Sequence, residues 1–253
     1  MIDRAIDTSH VLVRKFHHGI GIALVCLGTC TASNPSNEKF ENAKALVSEQ
    51  FVAPEQTWNL PASTHDAAVI FRSPCAYVDA SETHRANAGD ARFIPTDQAI
   101  QWRSVSSETC DLVLITIKST GPAADGPIPP PPSQRNDHAC KPNQEGIGAI
   151  QTGESNTDEV LIDNQEITVT RETLYPGVPR PPTRRREDQV TVFLDPAIYV
   201  LAPKDDAERV RSPDGYICRR AGVEVQWFPK GQEVSMLTNL GPMLYRIDVV
   251  RIK

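Results

Sequence analysis

The chain has 253 residues, 40% of them hydrophobic and 23% charged, with aromatics at 6%; this is a globular composition, long enough for one large or two small cores. That balance excludes a coiled coil, a disordered chain and a membrane-spanning one, and a net charge of -6 argues against a nucleic-acid partner, which needs a basic surplus. Proline stands out: 21 residues, against a usual level of about 5%, predict long loops, because proline breaks helices and central strands.

Residues 1–30 read as a targeting leader. Arg14, Lys15, His17 and His18 precede the apolar run 19–28, and small residues from Thr29 to Ser33 follow it, the three-part layout of a secretory signal peptide. The run falls short of the ~20 residues that a bilayer-spanning helix requires. Asp3 and Asp7 make the leader overlong, and initiation near Val11 to Val13 restores a compact one. Leu27-Gly28-Thr29-Cys30 resembles a bacterial lipobox, with Thr29 where glycine, alanine or serine is usual. The resemblance implies a lipid anchor at Cys30, a membrane contact, and an address in the periplasm or cell envelope. Cleavage after Cys30-Thr31-Ala32 is the alternative and releases a soluble secreted protein.

Removing Cys26 and Cys30 leaves four cysteines, Cys75, Cys110, Cys140 and Cys218. In an oxidising compartment an even number points to two disulfides, with three connectivities open. Cys75 and Cys110 flank successive apolar runs and are the preferred pair, which leaves Cys140 with Cys218. No CxxC is present, which disfavours a zinc ribbon or a thioredoxin-type centre.

Along the chain, 31–56 reads as a polar linker and a short helix, with Ser36 as cap and Phe40, Ala43, Leu46, Val47 and Phe51 at helical spacing up to Pro54. From 57 to 253 the pattern is β. Val69 to Phe71, Ala76 to Val78, Ala99 to Trp102 and Leu112 to Ile117 are short and rich in β-branched residues, the last apolar on both faces. Residues 121–145, with Pro129 to Pro132, form a Pro-rich loop, and a second proline cluster runs from Pro176 to Pro182. Val160 to Ile162 and Ile167 to Val169 flank Asp163-Asn164 as a hairpin. Val190, Val192 and Leu194 alternate, as do Ile198 and Val200; Ser212 to Gly215 reads as a type I turn; and Val223, Val225 and Trp227 predict a strand with Glu224 and Gln226 on a wet face. A last strand covers Leu244 to Ile252. The fold expected is mainly β, an antiparallel β-sandwich or partly closed barrel with one short N-terminal helix and long Pro-rich loops, without an internal repeat.

Chemistry is sparse. There is no Gly-x-Ser-x-Gly; His65, His84 and His138 read as solvated loop residues; and Asp137, His138 and Cys140 lack a second cluster to complete a metal site. Gly146, Gly148 and Gly153 have the wrong spacing for a nucleotide fingerprint. No residue is assigned as catalytic or metal-ligating and no cofactor is expected. Arg180, Arg184, Arg185 and Arg186 are the candidate partner contact, since arginine forks capture carboxylates and phosphates, against a solvated loop balanced by Glu187 and Asp188. The function expected is a non-enzymatic, protein-binding envelope lipoprotein with an immunity or envelope-assembly role; the alternative is a secreted or periplasmic hydrolase.

Overall fold

The structure, a computed structural model, describes residues 36–118, 138–139, 154–201, 217–221, 224–234 and 236–253. Cys30, Cys140, the 121–137 prolines, Gly146 to Gly153 and the Ser212 to Gly215 turn lie outside the described residues.

Nine strands make a first half: β1 (Ser36–Glu41), β2 (Ala45–Val52), β3 (Thr57–Leu60), β4 (Ala67–Phe71), β5 (Cys75–Asp79), β6 (Glu82–Ala86), β7 (Ala91–Ile94), β8 (Ile100–Ser104) and β9 (Cys110–Ile117). The second half contributes β10 (His138–Ala139), β11 (Thr157–Asp163), β12 (Ile167–Leu174), β13 (Pro179–Arg180), β14 (Thr183–Arg184), β15 (Asp188–Phe193), β16 (Ala197–Leu201), β17 (Ile217–Ala221), β18 (Val225–Phe228), β19 (Glu233–Val234), β20 (Leu237–Asn239) and β21 (Tyr245–Ile252). The mainly β, antiparallel expectation holds, and the described residues include no helix. Residues 36–54, expected to be helical, are β1 and β2. Asn42 makes the turn between them, its Oδ1 accepting from the backbone N–H of Lys44 and Ala45 at 2.8 and 2.9 Å. The helical spacing was a coincidence of two strands interrupted by that Asx turn; within β2, Ala45 and Val47 lie on one face and Val52 on the other.

The two halves repeat one topology. Sheet order β1-β2-β9-β4-β7 recurs as β11-β12-β21-β15-β18, and β3-β8-β5-β6 recurs reversed within β10-β17-β16-β20-β13. Pairing registers put the counterpart of each residue from Ala45 to Asp79 122 positions later, so Ala45 matches Ile167, Ala67 matches Gln189 and Tyr77 matches Tyr199. Trp102 to Ile117 match Leu237 to Ile252 at 135 positions, the longer connection between β16 and β17 accounting for the difference. Local devices repeat too. Asn164 rebuilds the Asn42 turn; Lys253 pairs with Asp163 as Lys118 does with Glu41; and positive φ falls at Glu55 and Gly177, and again at Asp97 and Gly231. Asp111 and its counterpart Arg246 both tie down the turn after the fourth strand, to Arg72 and Asp195 with the charges exchanged. The expectation of no internal repeat is therefore corrected: the repeat lies in turns and register, where residue identity is mostly not shared.

The halves meet face to face. Val47, Ala68, Ile70, Val113 and Ile115 of the first pack on Val169, Val190, Val192, Val250 and Ile252 of the second in one continuous core, each valine or isoleucine contributing about 1.5–3 kcal/mol on burial. Phe40 meets Trp227 edge-on at 6.2 Å, closing one rim. The opposite face of each large sheet packs on its own smaller sheet to form a barrel. Gln226, expected on a wet face, is buried in the second barrel opposite Thr191. Cys75 and Cys110 are bonded, as the flanking apolar runs suggested, beside Phe71, Tyr77 and Trp102 in the first barrel.

Two polar groups sit within the contact between halves. Asp248, fully buried, accepts from Arg171 Nε at 3.1 Å, and the Arg171 guanidinium lies so close to Gly89, at φ 98°, that a Cβ there would collide with it. Burial pushes the Asp248 carboxyl up to about 6 against the pull of Arg171 and Arg246, with Asp90 adding to the rise. The folded state then holds a proton that the unfolded chain, titrating near 4, has lost, so this group's contribution falls as pH rises from about 4 to 6 and is constant above. Denaturant unfolding at pH 4.5 and 7.5 is expected to show a loss of the order of 2–3 kcal/mol that Asp248→Asn removes. Cys75→Ala with Cys110→Ala is expected to cost about 3–4 kcal/mol from the freed loop, measured the same way under oxidising conditions.

Candidate functional site

Counterpart positions in the two barrels carry different chemistry. In the first, the tilted rings of Trp58 and Trp102 meet at 5.4 Å, Tyr77 meets Trp102 at 4.8 Å, and Phe71 with the disulfide completes the filling. In the second, Trp58 is replaced by Arg180, Ser63 by Arg185, Ala67 by Gln189, Gln50 by Glu172, Thr116 by Arg251 and Ile94 by Phe228, as the matching registers and backbone contacts place them. All of these second-barrel residues except Phe228 line a cavity of about 710 Å³ at the mouth of the second barrel, with Asn156, Asp158 and Leu174, a size suited to a small organic molecule.

The charges inside are unequal. Arg180 Nη1 donates to Glu172 Oε2 at 2.6 Å, and Arg251 Nη1 donates to Thr170 Oγ1 at 2.7 Å with its other Nη 4.0 Å from Glu172. Arg185 is 7% exposed. It is held by backbone bonds to Gln232 and Gly231, and its guanidinium lies over the Phe228 ring at 5.3 Å, a contact that favours a cation. No carboxylate pairs with it among the described residues, and its Nε has no acceptor. Burial first, then the Arg180 charge, pull its ionisation down to about 10, so it remains a cation at neutral pH. Asp158 at the mouth is pushed up by desolvation and by the Glu172 charge. Arg180 Nε and Gln189 Oε1 are likewise buried without partners.

Of the four arginines singled out in the sequence, Arg180 and Arg185 turn into the cavity while Arg184 and Arg186 stay exposed at its rim; the solvated-loop reading fails for Arg185. Glu172, Gln189, Phe228 and Arg251 were missed, because only the repeat, at offsets of 122, 134 and 135 positions, brings them to comparable positions. His84 stacks on Tyr77 at 5.3 Å, and neither it nor His65 bonds a carboxylate. Cys218 stands opposite His138 in the β10–β17 register. A buried ion pair that loses one partner leaves the other charge stranded. Glu172→Gln is therefore expected to destabilise by about 3–5 kcal/mol, while Arg185→Met, removing a charge with no partner, leaves the unfolding midpoint unchanged or raises it; thermal and denaturant melts without added ligand check both.

Compared by sequence, the chain matches no protein-family model and no curated protein. Compared by structure, it is similar to a cupin 2 conserved barrel domain protein from Leptotrichia buccalis (TM-score 0.52, 12% identity, 88% of this chain and 90% of that one). AerE from Microcystis aeruginosa is similar as well (TM-score 0.53, 8% identity, 87% and 97%), as is oxalate decarboxylase from Bacillus subtilis (TM-score 0.52, 9% identity, 87% and 78%). Structures of the last are described with Mn(II) centres. The residues here do not fit such a metal: tryptophans, tyrosine and a disulfide fill the first barrel, arginines line the second, and among the described residues no three histidine, cysteine or carboxylate side chains gather at ligand distance. This likeness overturns the expected non-enzymatic, protein-binding lipoprotein: the fold is one of β-barrels, and the candidate site lies within one of them. The described residues form two barrels similar in fold to those proteins, the first filled and the second holding a charged cavity.

Proposed function

We propose that this protein binds a small organic anion in its second barrel, with Arg185 as the principal anchor. The observation that carries the reading is Arg185 itself, a buried cation with no carboxylate in ion-pair contact among the described residues, at a position where the first barrel has Ser63; the Glu172 charge favours its cationic form but is taken up by Arg180. A stranded buried charge is costly, and the first half shows that this barrel topology closes with serine there. Arginine's planar fork suits a carboxylate, and Arg180 and Arg251 reinforce the positive field while Glu172 holds them in place. Oxalate decarboxylase, a fold neighbour, bears a name that denotes a small carboxylate as its substrate, which supports the same ligand class. The buried Cys75–Cys110 disulfide supports an oxidising compartment for this binding.

Calorimetric titration with acetate, succinate, D-gluconate and inorganic phosphate tests the proposal. At least one anion is expected to bind, with Arg185→Ser weakening it tenfold or more and with affinity falling as pH passes about 10, where Arg185 loses its proton. Absence of binding by all four, or equal affinity in Arg185→Ser, overturns it.

A further inference from the structure

Anion capture explains Arg185 but leaves another buried group unused. Gln189 is 3% exposed, on the cavity-facing side of β15, between Arg251 on one neighbouring strand and Phe228 on the other. Its Oε1 has no donor among the described residues, and the counterpart in the first barrel is Ala67. A buried amide oxygen without a donor costs about 1–3 kcal/mol, and arginine, glutamate and aspartate next to it in the lining do not satisfy it. The cavity therefore presents two demands at once: guanidinium N–H groups of Arg185 and Arg180 that require an acceptor, and an amide oxygen that requires a donor.

A plain carboxylate answers only the first. Five arginines and three carboxylates line the cavity, an excess of positive charge that favours an anion, and Arg185, buried and with no carboxylate in ion-pair contact among the described residues, calls for a single carboxylate. The volume of about 710 Å³ exceeds what a two- or three-carbon acid fills and accommodates a six-carbon one. We infer, on the basis of the anion reading above, that the ligand is a hydroxylated monocarboxylate of sugar-acid size, its carboxylate held by Arg185 and a hydroxyl donating to Gln189 Oε1. A site built around a hydroxyl rejects the analogue that lacks it, because its own polar group is then left buried and unpaired.

D-Gluconate and hexanoate, six-carbon monoanions with and without hydroxyls, separate the possibilities by calorimetry on the full chain. Gluconate is expected to bind at least tenfold more tightly than hexanoate. Gln189→Ala, which installs the residue of the first barrel, is expected to cut gluconate affinity tenfold or more and to leave hexanoate within twofold. Gln189→Met is a second variant that keeps the volume, and melting curves of both confirm folding. Equal binding of gluconate and hexanoate, or gluconate affinity unchanged in folded Gln189 variants, overturns the hydroxyl assignment and leaves the anion site standing. Failure of gluconate, hexanoate, acetate, succinate and phosphate alike overturns both.

Discussion

Everything else in this molecule is arranged around the packing of two five-stranded sheets on each other. Val113 and Ile115 of β9 press against Val250 and Ile252 of β21 through neighbours on β4 and β15, so each central strand is covered on this face by the other half and on its second face by its own smaller sheet. Strands in that position must be apolar on both sides. Their runs, Leu112 to Ile117 and Ile247 to Val250 with only Asp248 interrupting, meet that requirement. Asp248 is tolerated because Arg171 reaches it from the adjacent strand and Gly89 leaves room for the guanidinium.

With the shared core carrying the stability, the barrels behind it are free to differ. The first uses its interior for packing: two tryptophans, a tyrosine, a phenylalanine and a disulfide. The second packs Phe193, Leu237 and Tyr245 at counterpart positions, but sets Arg180 where the first has Trp58, adds Glu172, Gln189 and Arg251 where the first has Gln50, Ala67 and Thr116, and keeps a cavity. Aromatic stacking adds to stability beyond the area buried, whereas a charged interior subtracts from it unless each charge is answered. One half thus serves as scaffold and the other holds a site whose unanswered groups, Arg185 and Gln189, describe the missing partner.

Much of the fold was legible in the residues. Short β-branched runs named most of the strands, and Asp163-Asn164 named a hairpin that Asn164 closes with its side chain. The Cys75–Cys110 bridge followed from the runs that flank it. The N-terminal helix did not survive, since five apolar residues can satisfy a period of 3.6 and also a broken period of two, and only the Asn42 turn decides between them. The repeat escaped because its two copies share turns, registers and terminal ion pairs more than they share side chains.

The sequence by itself determined the β class, about half of the strands and one disulfide, because alternation and β-branching are local properties of a few consecutive residues. It also marked Arg180 to Arg186 as unusual in an acidic chain. Tertiary structure alone decided that Arg185 is buried, that Arg251 joins it and Gln189 from a strand far away in the chain, and that among the described residues no carboxylate pairs with Arg185. Burial and the absence of a counter-charge are properties of a closed barrel, in which residues more than sixty positions apart become neighbours by register, and no window along the chain contains them.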